Sequence, residues 1–358
     1  TMMLSFILVI LIGTILLMLP VASTQKRVTP FVNALFTSTS ATCVTGLIVY
    51  DTATYFSKFG QVVILFLIQI GGLGIMTVST AFALLMGRNI DLKLKNVMSQ
   101  VVGGTNRINL AQLLKNILLV TGIIELTGAA LLFSRFYHHH SLARALYLSV
   151  FHSVSAFCNA GFALFSDSLV WFRDSAVVSI VSPLLIIFGG LGFSVIIDLY
   201  RYFFKRDNVR KLTLHSKIVL VTTAFLIVGG MISFFVMEYY GTMKGFGIHQ
   251  RLLSSFFQSV TTRTAGFNTL DFGAMGKATL FASMFLMFVG PSPGSTGGGI
   301  QTTHFSILGL TMVTLLRGRR DISVFNRRIP SRNSRTAPGL AFLPASLVFF
   351  LVLILFPL

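Results

Sequence analysis

Long apolar runs, broken by short stretches of a different grain, make up almost the whole chain. The runs fall at about 2–22, 60–86, 116–134, 175–200, 217–237, 278–316 and 339–358. Each approaches or exceeds the roughly 18 residues that an α-helix needs to cross hydrocarbon, so each predicts a membrane helix. Between them lie three segments that mix Ser, Thr and Phe with small residues: Ala34–Leu47 (ALFTSTSATCVTGL), Leu148–Phe162 (LSVFHSVSAFCNAGF) and Leu252–Phe267 (LLSSFFQSVTTRTAGF). Each ends on a Gly followed by a large apolar residue. Aligning Gly46, Gly161 and Gly266 brings Phe36, Phe151 and Phe256 into register ten positions earlier, and the glycines recur at intervals of 115 and 105 residues. A short amphiphilic stretch that runs into a glycine loop between two spans predicts a re-entrant pore loop.

The predicted fold is therefore an all-α polytopic membrane protein of tandem units, each a helix, a pore loop and a second helix. The units are 1–87, 116–204 and 217–316, joined by connectors 88–115 and 205–216. A basic connector, 317–338, leads to a last span, 339–358, read as the first helix of an incomplete fourth unit. The first run has no basic residue before it and is read as a membrane helix rather than a secretion signal.

Composition agrees with this class. Of 358 residues, 54% are hydrophobic and 11% charged, and the mean hydropathy of +0.82 exceeds what a soluble core can hide. The net charge of +18 invites a nucleic-acid reading, so its distribution has to decide. Eighteen Lys and Arg fall in Arg88–Lys115, Arg201–Lys217 and Arg317–Arg335, which share one side if the spans alternate, against ten on the other. That asymmetry places the three segments in the cytoplasm and the pore loops at the outer face. Topology accounts for the cations, and no nucleic-acid partner is expected.

A dehydrated cation must exchange water oxygens for protein oxygens, and a loop of small residues can aim consecutive carbonyls at one axis. The candidate ligands are the carbonyls of Cys43, Val44, Thr45 and Gly46, then Cys158, Asn159, Ala160 and Gly161, then Arg263, Thr264, Ala265 and Gly266. One Gly per loop, with unequal neighbours, predicts looser ion selection than a strictly regular filter.

The third inner segment, Lys277–Leu316, would be about 60 Å long as one helix, roughly twice the hydrocarbon thickness. It must break, and the break is written at Val289–Gly299, VGPSPGSTGGG. Its candidate residues are Gly290, Pro291, Ser292, Pro293, Gly294, Ser295, Thr296, Gly297, Gly298 and Gly299. Non-helical backbone at membrane depth survives where protein or water satisfies it, so this loop either lines an aqueous path or forms a cytoplasmic turn. Ile300 stands where a phosphate loop needs Lys.

Other candidates carry less. Gly71–Gly74 and Gly189–Gly192 repeat a Gly-Gly-Leu-Gly signature in two inner helices, read as close helix packing or as a trace of duplication. His138–His140 read as a solvated loop, Cys43 and Cys158 as small packing residues, and Glu125 as either a functional group or a hydrogen-bonded structural one. Arg263 is expected to point away from the ion and brace against Asp271, Asp51 or Asp167. No nucleotide motif, metal-ligand cluster or nucleophile with its base emerges, and ten acids in the whole chain leave no expectation of an enzyme.

TSTSATCVTGL, FCNAGF, TRTAGFNTLDF, IQIGGLGIMT and GPSPGSTGGGIQTT together resemble the Trk/Ktr/HKT family of potassium transporters, in particular its bacterial KtrB branch. The resemblance covers about residues 1–330. It implies four units around one potassium pathway, with Gly46, Gly161 and Gly266 as filter glycines and the loop at 289–299 as an intramembrane gate. It also implies potassium as the transported ion, sodium dependence in many members and no covalent cofactor. A homodimer on a cytosolic ring of nucleotide-binding regulatory subunits, in a bacterial inner membrane, completes the picture. Two alternatives stay open: a broken-helix secondary transporter with its substrate at the 289–299 loop, and a non-conducting subunit lacking its fourth pore loop.

Overall fold

The computed structural model describes residues 2–74, 110–204 and 212–316, with a two-residue strand pair, β1 (Ser323–Val324) and β2 (Arg327–Arg328). The end of the run at 60–86, much of the three predicted connectors and the span at 339–358 lie outside the described residues. The rest is helical: α1 (Met2–Met18), α2 (Phe31–Thr42), α3 (Lys58–Leu73), α4 (Leu110–Phe136), α5 (Leu142–Phe157), α6 (Ala176–Leu191), α7 (Phe193–Phe204), α8 (Leu214–Met237), α9 (Ile248–Thr261), α10 (Lys277–Phe288) and α11 (Thr302–Leu316).

By length and composition, α4 (from Lys115) and α8 are apolar enough to cross a membrane. A third crossing is possible for α6 and α7 together, although they bend by 101° at Gly192. Among the described residues, the run from Met2 forms a helix shorter than the sequence predicts and the run from Lys277 is interrupted. Gly74 ends α3 with φ 79°, and the segment from Lys277 divides into α10 and α11. Glycine and proline interrupt apolar sequence that hydropathy alone reads as continuous.

Three short helices, α2, α5 and α9, are buried to an unusual degree for segments so rich in hydroxyls. Each is docked on a longer helix through the same device. Ser38 Oγ donates to Ile10 O (2.8 Å), Ser153 Oγ to Glu125 O (2.6 Å) and Ser259 Oγ to Ile227 O (2.6 Å). Three residues beyond each accepting carbonyl stands a glycine, Gly13, Gly128 or Gly230, where a methyl would collide with that serine. The glycine removes a side chain, the helices close in, and the buried hydroxyl finds a carbonyl with a spare lone pair.

The seats also correct the alignment of the third segment. Ser38 and Ser153 stand eight residues before their loop glycines, whereas Ser259 stands seven before Gly266. Phe257, fully buried, therefore occupies the place of Phe151, and Phe256 does not.

The end of α8 is tied to the start of α10 by Glu238, whose carboxylate is buried without a cation among the described residues. It accepts from Thr242 N (2.9 Å), Thr242 Oγ1 (2.9 Å), Gly276 N (3.0 Å) and Thr279 Oγ1 (2.6 Å). Burial alone would raise this carboxyl, and the four donated bonds more than offset that, holding it below the usual carboxylate range. Glu238→Ala, which leaves four donors facing nothing, should cost about 3 kcal/mol, read as a lower unfolding temperature in detergent. Glu238→Gln should fall between that variant and the parent. Because the folded pKa is depressed, the contribution is present above the unfolded value of about 4.3 and is lost as pH falls through the lower folded one. The gap between Gln and Glu should accordingly narrow in acid.

Candidate functional site at three converging glycine turns

Beyond Thr42, Phe157 and Thr261 the chain stops being helical but its amides still turn back. Thr45 N donates to Ser40 O (2.8 Å), Ala160 N to Ser155 O (2.8 Å) and Ala265 N to Thr261 O (2.9 Å). The φ angle is positive at Val44 (55°), Asn159 (57°) and Thr264 (70°), and again two residues later at Gly46 (81°), Gly161 (71°) and Gly266 (85°). Left-handed backbone at a β-branched residue such as Val44 or Thr264 costs about 1–2 kcal/mol and persists only where its surroundings over-determine it. Finding it at the same place in three turns marks a shape that has a use.

The consequence of that shape lies in the carbonyls. Among the described residues, none of those from Cys43 to Gly46, Cys158 to Gly161 or Arg263 to Gly266 accepts a backbone hydrogen bond. Amides that turn back into the helix end, at residues 43–45, 158–160, 263 and 265, beside carbonyls that accept no backbone bond give the polarity that suits a cation. The helices add to it, since α2, α5 and α9 all aim their negative C-terminal ends at the turns.

The turns also meet. A methyl on Gly46 would lie 2.6 Å from Ala160 O, and one on Gly161 would lie 2.6 Å from Ala265 O and 2.9 Å from Gly266 Cα. Gly161 thus sits between the other two, in an arc with no room for a side chain. On one side the three glycines floor a cavity of about 520 Å3 whose walls include Asp51, Asp167, Asp271, Ser166 and Asn268. At the other end lies the 289–301 loop. A methyl on Gly297 would stand 2.8 Å from Thr264 Oγ1 and 3.1 Å from the Asn159 side-chain amide, two residues before the glycines.

That loop is held at its base, where Val289 and Ile300 form a bridge and Ile300 N donates to Phe288 O (3.2 Å). Thr302 N donates to Pro291 O (3.0 Å). Ser292 and Thr296 are buried and bonded to neighbouring helices, whereas Ser295 Oγ has no partner among the described residues.

Arg263 departs from expectation. It is buried and forms no ion pair among the described residues, and its Nε is unpartnered. The cause is position: Arg263 lies three residues before Gly266, while the three aspartates line the cavity beyond the glycines. Asp51 is already occupied by Ala53 N (2.9 Å), Thr54 Oγ1 (3.0 Å) and Ser166 Oγ (2.6 Å). Glu125 accepts from Gln69 Nε2 at 3.3 Å through one oxygen, while its Oε1 is buried without a partner among the described residues, and Cys158 Sγ approaches Gln69 Oε1 at 3.8 Å.

His152 is a site residue that the sequence reading missed. It is fully buried in α5, its Nδ1 lies 2.7 Å from Leu148 O, and its Nε2 accepts from Leu164 N at 3.2 Å. A neutral imidazole with its proton on Nδ1 thus ties the chain leaving the second turn back to the helix that enters it. A histidine inside FHSVSAF was the available signal.

Comparison with known proteins gives the family and the fold. A protein-family model described as TrkH, cation transport protein, matches residues 1–356. The Ktr system potassium uptake protein B of Bacillus subtilis is 39% identical over 326 residues, 90% of this chain and 72% of that protein. The potassium/sodium uptake protein NtpJ of Enterococcus hirae is 38% identical over 351 residues, 98% of this chain and 77% of its own. The crystal structure of the potassium transporter TrkH from Vibrio parahaemolyticus matches with a TM-score of 0.70 at 21% identity, covering 98% of this chain and 70% of that one, which speaks to the fold. The chain belongs to the TrkH family of cation transport proteins, multi-pass membrane proteins that are transporters and not enzymes.

Proposed function

We propose that this chain carries potassium into the cell through the arc of glycine turns, with the free carbonyls of residues 43–46, 158–161 and 263–266 replacing the ion's water. The observation that carries the reading is the pairing of back-bonded amides at Thr45, Ala160 and Ala265 with carbonyls that accept no backbone bond, at three turns of matching φ pattern. Carbonyls that accept nothing from the protein are open to another partner, and a cation on their common axis is one that they suit. The threefold serine seat supports a duplicated unit of helix, pore helix, loop and helix. The relatives named for potassium uptake, and for potassium and sodium together, support the choice of ion, with sodium as an accompanying or activating one.

In this reading the aspartate-walled cavity is the outer mouth, and the 289–299 loop is a gate beneath the filter. The basic segments lie in the cytoplasm of a bacterial inner membrane. A homodimer on a cytosolic nucleotide-binding ring completes the assembly, with those segments as its docking surface.

Expression of the full-length protein in cells stripped of their own potassium uptake should restore growth at limiting potassium and give saturable uptake. Correctly inserted protein that restores neither would defeat the proposal.

A further inference from the structure

Helix α6 ends at a sharp break, and the last carbonyls of a helix have no partner within it. Here those carbonyls are capped by a loop from more than a hundred residues away. Thr296 N donates to Gly189 O (3.3 Å), Ser292 N donates to Gly190 O (3.0 Å), and Ser292 Oγ donates to Leu191 O. Across the break, Phe193 N, the first amide of α7, donates to Gly294 O (3.2 Å). Thr296 Oγ1 reaches further and donates to Phe157 O (3.0 Å), the last carbonyl of α5 before the second glycine turn.

The glycines of the Gly-Gly-Leu-Gly signature make the seat possible. A methyl on Gly189 would strike Phe157 O and stand 2.8 Å from Thr296 Oγ1, and one on Gly192 would stand 2.8 Å from both Pro293 O and Ser292 Oγ. Gly192 also adopts φ 84°, which turns the chain through the bend between α6 and α7. Simple helix packing does not require that a loop supply donors in register with three successive orphan carbonyls.

We propose that Gly189–Gly192 is a latch seat, and that Ser292 and Thr296 are positioning residues that hold the 289–299 loop in its obstructing place beneath the filter. The latch rests on the reading of that loop as a gate. It couples the gate to two parts of one unit, the bend of α6 and α7 and, through Phe157, the base of the second filter turn. When the loop leaves, the carbonyls of Gly189, Gly190 and Leu191 lose their donors, so opening and re-capping of the α6 end occur together.

The test is potassium uptake by the full-length protein in transport-deficient cells, with membrane content measured beside it. Thr296→Val keeps shape and removes the hydroxyl, Thr296→Ser restores it, and Ser292→Ala removes the other. Thr296→Val and Ser292→Ala should each raise the maximal rate about fivefold, the shift that loss of one buried hydrogen bond gives an open–closed equilibrium. The KM for potassium should stay constant, and Thr296→Ser should behave as the parent. If Thr296→Val fails to insert, Ser292→Ala carries the test. An unchanged or lower maximal rate in inserted protein, while excision of Gly294–Gly299 raises it, overturns the latch and leaves the gate standing. If excision also changes nothing, the gate reading falls and the latch with it.

Discussion

Serine at Gly161 should abolish most of the protein's preference for potassium over sodium, a larger loss than the same change at either neighbouring turn. Gly161 combines a φ of 71° with contact on both sides, and its Cβ would sit 2.6 Å from Ala265 O and 2.9 Å from Gly266 Cα. Two costs therefore coincide: a left-handed conformation that a side chain resists, and a collision with backbone that cannot step aside. The turn must move, and with it the carbonyls of Asn159, Ala160 and Gly161. Because selection depends on the number and field of those oxygens, a shift of a few tenths of an ångström changes the balance between the two ions. We expect the potassium-to-sodium ratio to fall at least about tenfold, which corresponds to a differential of about 1.4 kcal/mol. Gly46→Ser and Gly266→Ser should show smaller losses, Gly266 the least because its nearest neighbour, Gly161 Cα, is 3.2 Å from the added carbon. Potassium uptake measured against rising sodium checks the order, and a ratio unchanged at Gly161 would remove the filter assignment.

The glycine turns were legible because they repeat. A Gly at the end of a hydroxyl-rich stretch says little once, but three at similar spacing point to one architecture, and the turns do converge. Hydropathy was a poorer guide to where helices end, since it reads 60–86 as one run although Gly74 takes a left-handed φ that stops α3 at Leu73. The serine seats were hidden for another reason. Their partners are backbone carbonyls on a different helix, which no sequence pattern names, and the glycines that make room lie 25 to 29 residues earlier in the chain. The Gly-Gly-Leu-Gly signature was visible and underread: packing explains Gly189 in part, but the loop seated on the α6 end belongs to another unit. Arg263 was misjudged because proximity in sequence to Asp271 conceals the turn that separates them.

Excising Gly294–Gly299 should produce the largest gain in flux of any change to this chain. The deleted residues include Gly297, which lies against Thr264 and Asn159 at the base of two turns, and Thr296, whose hydroxyl holds the loop to Phe157 O. The loop's ends are already side by side, with Val289 bridged to Ile300, so Gly290–Pro293 can span the gap without pulling α10 from α11. The capping contacts of Ser292 on Gly190 and Leu191 lie outside the excised residues, so two of the three capped carbonyls of α6 keep their donors while Gly189 O loses Thr296 N. What is lost is the backbone beneath the turns. If a closed loop dominates at rest by a ratio of about a hundred to one, its removal raises the open fraction towards unity and the maximal rate by more than about tenfold, with the ion preference retained. The retained preference is the discriminating part. Damage to the turns themselves would raise leak and erase selectivity together, whereas removal of an obstruction leaves the carbonyls where they were. Uptake in transport-deficient cells at matched membrane content, scored for both rate and ion ratio, separates these outcomes.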